Sequence, residues 1–303
     1  MPRVRANGID IEFESFGRDG DPAILFIMGF AAQLSLWPDA LYEQLAAKGF
    51  RVIRYDNRDV GKSTHLLDKG TPDLRALIAK AVAGQPVETP YSLDDMAADA
   101  AALLDALGIS SAHIVGASMG GMIAQLVAVH HPAKTKSLVS IMSTTARRGL
   151  PPAKPEAMAA LVAQPASERR EDLIASAIRA WRAIGNPGFP ESDQELRATA
   201  ERNVDRSPYE PTGFARQMAA IIAAPPRNDV LKSVRAPTLV IHGADDPLVL
   251  PAGGQDTADS IPGAELILVP GMGHHVCESL VPVLLRHIGD FVAKVEGRAT
   301  AKI

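Results

Sequence analysis

One cysteine, Cys277, stands in a chain of 303 residues. That excludes an internal disulfide framework and a zinc site built on paired cysteines, and it fits a reducing compartment. No long run of like charge occurs, and the formal net charge is only −4. A nucleic-acid binder would present a basic face, so none is expected as a partner. Repeats and low-complexity tracts are absent. The opening residues, Met1 to Gly8, run into alternating sequence without the apolar core of a signal peptide, so a cytoplasmic location is the expectation. The uncharged stretch 114–129 approaches the length of a membrane span. Glycines, Ser118 and Gln125 interrupt it, and its first part reads as a strand. A buried strand-turn-helix is expected there, with no membrane span. Hydrophobic content of 47% and charged content of 22% are ordinary for a globular protein. The length allows one large domain or a domain with an insert.

What is present is an ordered alternation of strands and helices. Ile9 to Glu14 alternates apolar and polar residues, which predicts a half-exposed antiparallel strand near a sheet edge. Ala23 to Met28 is continuously apolar, as in a strand covered on both faces. A helix over about 38–48 ends at Gly49, and strand 51–55 follows. Ser92-Leu93-Asp94-Asp95 has the pattern of a capping box opening a helix to about Leu107. Then come strand 112–116, a helix ending near His130-His131-Pro132, and strand 136–142. Such alternation implies a parallel sheet with helices on both faces. From about 145 to 228 no strand can be read, only helical segments around 156–162, 169–184, 193–203 and 213–224. Strands 238–242 and 265–269 and a closing helix over about 276–295 complete the pattern. The simplest organisation is a body over 1–144 and 229–303 with a helical cap over 145–228.

Gly116-Ala117-Ser118-Met119-Gly120 lies between a β-branched run and a helical one. A G-x-S-x-G in that context is a nucleophile elbow, which holds a serine Oγ out at the carboxyl end of a sheet. An acyl-transfer serine needs a base, and the base an orienting carboxylate. The loop after strand 238–242 carries Gly243-Ala244-Asp245-Asp246-Pro247, and the loop after strand 265–269 carries Pro270-Gly271-Met272-Gly273-His274. Both leave the same sheet edge as Ser118, in the order Ser, Asp, His. One of Asp245 and Asp246 is a turn residue before Pro247. His275 and Cys277 are near, but side chains of adjacent residues diverge. His130-His131 suit a helix end, and adjacent histidines on a helix cannot share a ligand. Neither a metal nor a cofactor is expected.

These pieces, with Ile27-Met28-Gly29-Phe30 and the run from Tyr55 to Ser63, resemble the α/β-hydrolase superfamily over nearly the whole chain. The Met-Gly before the oxyanion position and the Pro-Gly-Met-Gly-His ending are similar to aclacinomycin methylesterase and related bacterial carboxylesterases. The resemblance implies a mostly parallel eight-stranded sheet flanked by helices, with a helical cap after strand 6. It makes Ser118 the nucleophile, His274 the base and Asp246 the acid, since the family places the acid three residues after the glycine. Backbone N–H groups of Phe30 and Met119 would form the oxyanion hole. Many relatives carry His where this chain has Met28, which leaves open how that loop is braced. Arg58, in Asp56-Asn57-Arg58, is expected to pin a loop near the site. Met28, Trp181 and Phe189 are candidate pocket residues for a small-molecule ester with an apolar acyl group. The implied activity is serine esterase; the alternatives are the same residues acting on a lactone, amide or carbon–carbon bond or in perhydrolysis, or a ligand receptor. Dehalogenase and epoxide-hydrolase relatives carry Asp at the elbow, where this chain has Ser118. Oligomeric state is not legible.

Overall fold

A computed structural model describes residues 2–298. Its elements in chain order are β1 (Arg3–Ala6), β2 (Ile9–Phe16), β3 (Ala23–Ile27), α1 (Asp39–Ala47), β4 (Arg51–Tyr55), α2 (Leu74–Val82) and α3 (Leu93–Ala106). There follow β5 (Ala112–Ala117), α4 (Met119–His130), β6 (Thr135–Ile141), α5 (Pro155–Val162), α6 (Arg170–Ile184), α7 (Asp193–Arg206) and α8 (Pro211–Ala223). Last come β7 (Thr238–Gly243), α9 (Pro251–Ser260), β8 (Glu265–Val269) and α10 (Val281–Val295). One sheet of eight strands runs in the order β1-β2-β4-β3-β5-β6-β7-β8. β2 is antiparallel to β1 and β4, and every other pairing is parallel. The expected fold class is therefore the observed one.

Alternation along the strands fills two cores. Leu25 and Ile27 of β3 face α3 and α4, packing with Leu103, Leu104, Ile123 and Val127. Ile24, Phe26 and Met28 face the other way, with Tyr42 of α1 and Leu284 and Ile288 of α10. Each fully buried Leu or Ile contributes about 1.5–3 kcal/mol, so a doubly covered apolar strand is the stable place for such a run. α10 buries Leu284, Ile288, Phe291 and Val292 at helical spacing. α3 carries the capping box anticipated at its start, with the Ser92 side chain accepting from the Asp95 N–H and the reverse bond also made.

Three features depart from expectation. β2 is antiparallel and next to the sheet edge as anticipated, but an unanticipated strand, β1, forms the edge itself, folding back through Asn7-Gly8, both at positive φ (45° and 77°). Asn-Gly is the preferred pair for such a two-residue hairpin. α2 shows no clear sequence signal and packs beside α8. The closing helix begins at Val281, not near 276: a short 3₁₀ turn at Glu278–Leu280 precedes it, and Pro282 stands in its first turn. Between β6 and β7, no strand occurs among the described residues. No described helix is long and apolar enough to cross a membrane.

The strand that delivers Ser118 carries a buried histidine. His113 on β5 makes contacts at 2.8 Å to Ser137 Oγ and 3.1 Å to a carboxylate oxygen of Glu296. The carboxylate only accepts, so Nε2 carries the proton and Nδ1 accepts from Ser137. Burial pulls the His113 pKa down to about 4, against the opposing pull of Glu296. The folded value lies below the unfolded value of about 6.5, so the unfolded chain binds the proton more readily between them. This contribution to stability is complete above about pH 6.5 and is lost as pH falls towards 4. Urea midpoints should therefore drop between pH 7 and pH 4.5, and His113→Gln should show a smaller drop. An equal drop in both proteins would contradict this.

Candidate active site

Ser118 is the residue before α4, and its backbone lies at φ 56°, ψ −121°. Positive φ costs a residue with a Cβ of order 1–3 kcal/mol and persists only where the surroundings over-determine it. Here the surroundings are backbone. A Cβ on Gly116 would lie 2.0 Å from the Gly120 carbonyl oxygen, and one on Gly120 would lie 2.1 Å from that of Ile27. Only glycine permits these approaches. The Ser118 N–H donates to the Ile141 carbonyl at 2.9 Å, and Ser143 Oγ donates to the Ser118 carbonyl at 2.7 Å. The turn is thus tied to β6 on its other side.

Asp246 and His274 meet Ser118 from two later loops. His274 Nδ1 lies 2.7 Å from Asp246 Oδ2, and its Nε2 lies 2.9 Å from Ser118 Oγ. Asp246 Oδ1 accepts from the backbone N–H groups of Leu248 and Val249, at 2.8 and 2.9 Å. A carboxylate only accepts. His274 Nδ1 therefore carries the proton, and Nε2 is left to accept from the Ser118 hydroxyl. Asp246 and His274 are buried and Ser118 is half-buried. Asp245 is exposed and accepts from the Gly271 N–H at 2.8 Å, a bond that ties the loop after β7 to the loop after β8.

His242, in β7, supports this chain of bonds and was not singled out in the sequence. Its Nε2–H donates to the Val249 carbonyl at 2.7 Å, and the same nitrogen lies 3.6 Å from Asp246 Oδ2. Burial lowers its pKa, which favours the neutral ring beneath the carboxylate. His275 turns away from Ser118. It pairs with Glu191 at 3.3 Å and stacks on Trp181, with centroids 5.4 Å apart and planes at 21°. Cys277 is buried, and burial raises its thiol pKa, so it is no ready nucleophile.

Met119 follows Ser118 in the chain, and Phe30 stands in the loop after β3. Gly29 runs so close that an added Cβ would sit 3.3 Å from the Ser118 Cβ. Neither the Phe30 nor the Met119 N–H donates to another group among the described residues. The loop that carries Phe30 is braced without a histidine. Asn57 Nδ2 donates to the Met28 carbonyl at 2.9 Å, and Asp56 Oδ1 accepts from the Leu34 N–H at 2.7 Å. Gln217 of α8 bridges the Ala31 N–H, at 2.9 Å, and the Arg58 carbonyl, at 2.8 Å. Arg58 itself pairs with Asp99 of α3 through two 2.6 Å bonds, which fasten the loop after β4 to α3. Arg216 of α8 holds Asp59 at 2.7 and 2.8 Å with both side chains fully buried.

A cavity of about 320 Å³ opens beside Phe30. Leu36, Val60, Leu161, Leu173, Trp181, Val204 and Phe214 give it apolar walls, and Gln33, Asn203 and Glu210 add polar groups. Of the three pocket candidates, Trp181 alone lines it. Met28 is fully buried on the α1–α10 side of the sheet, where strand alternation sends it. Phe189 packs at the edge of that same core, because the turn before it docks on the loop of His274. Ser118 and His274 are outside the cavity lining, which reaches the serine's neighbourhood through Phe30. No group of three or more His, Cys, Asp or Glu able to hold a metal occurs among the described residues.

If the Phe30 N–H serves an oxyanion, Gln217→Ala should disturb it. The expected result is a kcat lower by about tenfold or more, up to the roughly 10²–10³-fold that outright loss of one such donor costs, with KM little changed. An unchanged kcat in a folded variant would contradict this role.

A family model described as the alpha/beta hydrolase fold matches residues 22–279. Rhodomycin D methylesterase DauP of Streptomyces sp. (strain C5) is 30% identical over 282 residues, covering 86% of this chain and 87% of that protein. 3-Oxoadipate enol-lactonase 2 of Acinetobacter baylyi is 28% identical over 292 residues, covering 96% of each. The crystal structure of an enol-lactonase from Burkholderia xenovorans LB400 has a TM-score of 0.70 at 21% identity, covering 96% of this chain and 100% of that one, a likeness of fold alone.

Proposed function

This chain belongs to the α/β-hydrolase family, and we propose that it is a carboxylic ester hydrolase with Ser118 as nucleophile, His274 as general base and Asp246 as the orienting acid. The observation that carries this reading is the continuous run of hydrogen bonds from Ser118 Oγ through His274 to Asp246, at 2.9 and 2.7 Å. Ser118 Oγ attacks the ester carbonyl while its proton passes to His274 Nε2. The N–H groups of Phe30 and Met119 receive the oxyanion. His274 then protonates the departing alcohol, leaving an acyl ester on Ser118. Water attacks that ester with His274 as base, the carboxylic acid leaves, and Ser118 regains its proton. Asp246 stays ionised and stabilises the imidazolium that forms twice in each cycle.

The helices between β6 and β7 are read as a cap, 145–228, on a body formed by 1–144 and 229–303. The cavity near Phe30 is the natural seat for an apolar acyl group of small to medium size. The methylesterase relative supports an ester as the bond. A second reading keeps every residue and changes the bond to a lactone, and the enol-lactonase relative favours it.

Purified protein assayed on p-nitrophenyl esters of increasing acyl length tests both the residue and the seat. Ser118→Ala should lose roughly 10⁴–10⁶-fold in kcat, and the optimum should fall at short to medium chains. A Ser118→Ala variant within about tenfold of the parent would overturn the assignment.

A further inference from the structure

The loop that carries His274 is held from two sides: Gly271 and Met272 bond to Asp245 and Val269 at the ends of β7 and β8, and the residues around His274 bond to the helices inserted between β6 and β7. Among the described residues, the main-chain hydrogen bonds of Gly273, His274 and His275 all go to Ile184 and Asn186, at the end of α6. The His274 N–H donates to the Ile184 carbonyl at 2.7 Å. The Gly273 N–H donates to Asn186 Oδ1 at 2.8 Å, and Asn186 Nδ2 donates to the His275 carbonyl at 3.0 Å. Asn186 Nδ2 also lies 3.3 Å from Cys277 Sγ. The two backbones touch directly: a Cβ on Gly273 would sit 2.0 Å from the Gly185 carbonyl oxygen. Further along, the Gly188 N–H donates to the Gly271 carbonyl at 2.9 Å.

Asn186 suits this place because one planar amide offers an acceptor and a donor side by side. It substitutes for a neighbouring strand on both flanks of His274. Asn186 is buried, so water cannot easily replace either bond, and removing the amide leaves a buried N–H and C=O unpaired. We infer that Asn186 is a positioning residue for His274: it sets the main chain on both sides of the base and thereby the reach of Nε2 to Ser118. The inserted helices then supply part of the apparatus that orients the base, in addition to lining a cavity. This inference rests on the reading of His274 as general base.

A displacement near 1 Å at a reacting group can cost on the order of 10²-fold. Asn186→Ala should therefore lower kcat for p-nitrophenyl ester hydrolysis roughly 10–100-fold while KM moves less than about threefold. The same substitution in a His274→Ala background should change the residual rate less than about twofold, because the group it positions is gone. Asn186→Asp keeps the acceptor for the Gly273 N–H and sets an oxygen against the His275 carbonyl. Measured in the same cycle, it stands in if the alanine variant does not fold, and its loss should likewise vanish without His274. A kcat within about twofold of the parent, or an equal loss with and without His274, would overturn the inference. Failure of the underlying reading looks different, since His274→Ala alone would then keep the parent's rate.

Discussion

The close approach of Gly116, Gly120 and the carboxyl end of β3 is the constraint on which the site depends. Three stretches of backbone meet where no Cβ fits, and Ser118 is left at φ 56° between them. That conformation costs of order 1–3 kcal/mol, a sizeable part of a total stability of about 5–15 kcal/mol. The packed cores on both faces of the sheet sustain it, and the bonds from Ile141 and Ser143 leave the turn no easier place to relax. The result is a hydroxyl fixed at a sheet edge, with His274 Nε2 2.9 Å away.

The sheet alone does not finish the site. Asp246 sits on backbone donors of its own loop, but the Phe30 loop and the His274 loop each lean on the helices between β6 and β7. Gln217 holds one, and Ile184 with Asn186 holds the other. The buried Arg216–Asp59 pair fastens the same helices to the loop after β4. A pair of charges that far from water stabilises little on balance, but losing one partner costs about 3–5 kcal/mol. Its effect is to fix where α8 lies, and with it Gln217. The cavity and the Phe30 loop are therefore set by the same few contacts.

Much of this was legible in the sequence because local patterns express it. Doubly covered strands show as apolar runs, the elbow as two glycines around a serine, and the partners as loops after the last strands. Ser118, Asp246 and His274 stand in the hydrogen-bonded run that this order implied. The hairpin at Asn7-Gly8 also has its signal, in the Asn-Gly dipeptide itself. Other features had no local pattern to read. Gln217 and Ala31 lie 186 positions apart, and Asn186 and Gly273 lie 87 apart. Such side-chain-to-backbone bonds follow from tertiary placement alone. Phe189 lies at the core edge and outside the cavity lining for the same reason, since its neighbouring turn docks on the His274 loop. Met28 obeyed strand alternation, which sends it away from the site that its carbonyl helps to brace.

Trapping the acyl group tests the central claim most directly. A slowly deacylated p-nitrophenyl ester, mixed with stoichiometric protein and acid-quenched during the burst of nitrophenol, should leave one acyl group per chain. Peptide mass mapping should place it on Ser118, with none on Cys277 or any other residue. A burst with no covalent adduct, or an adduct elsewhere, would contradict the account.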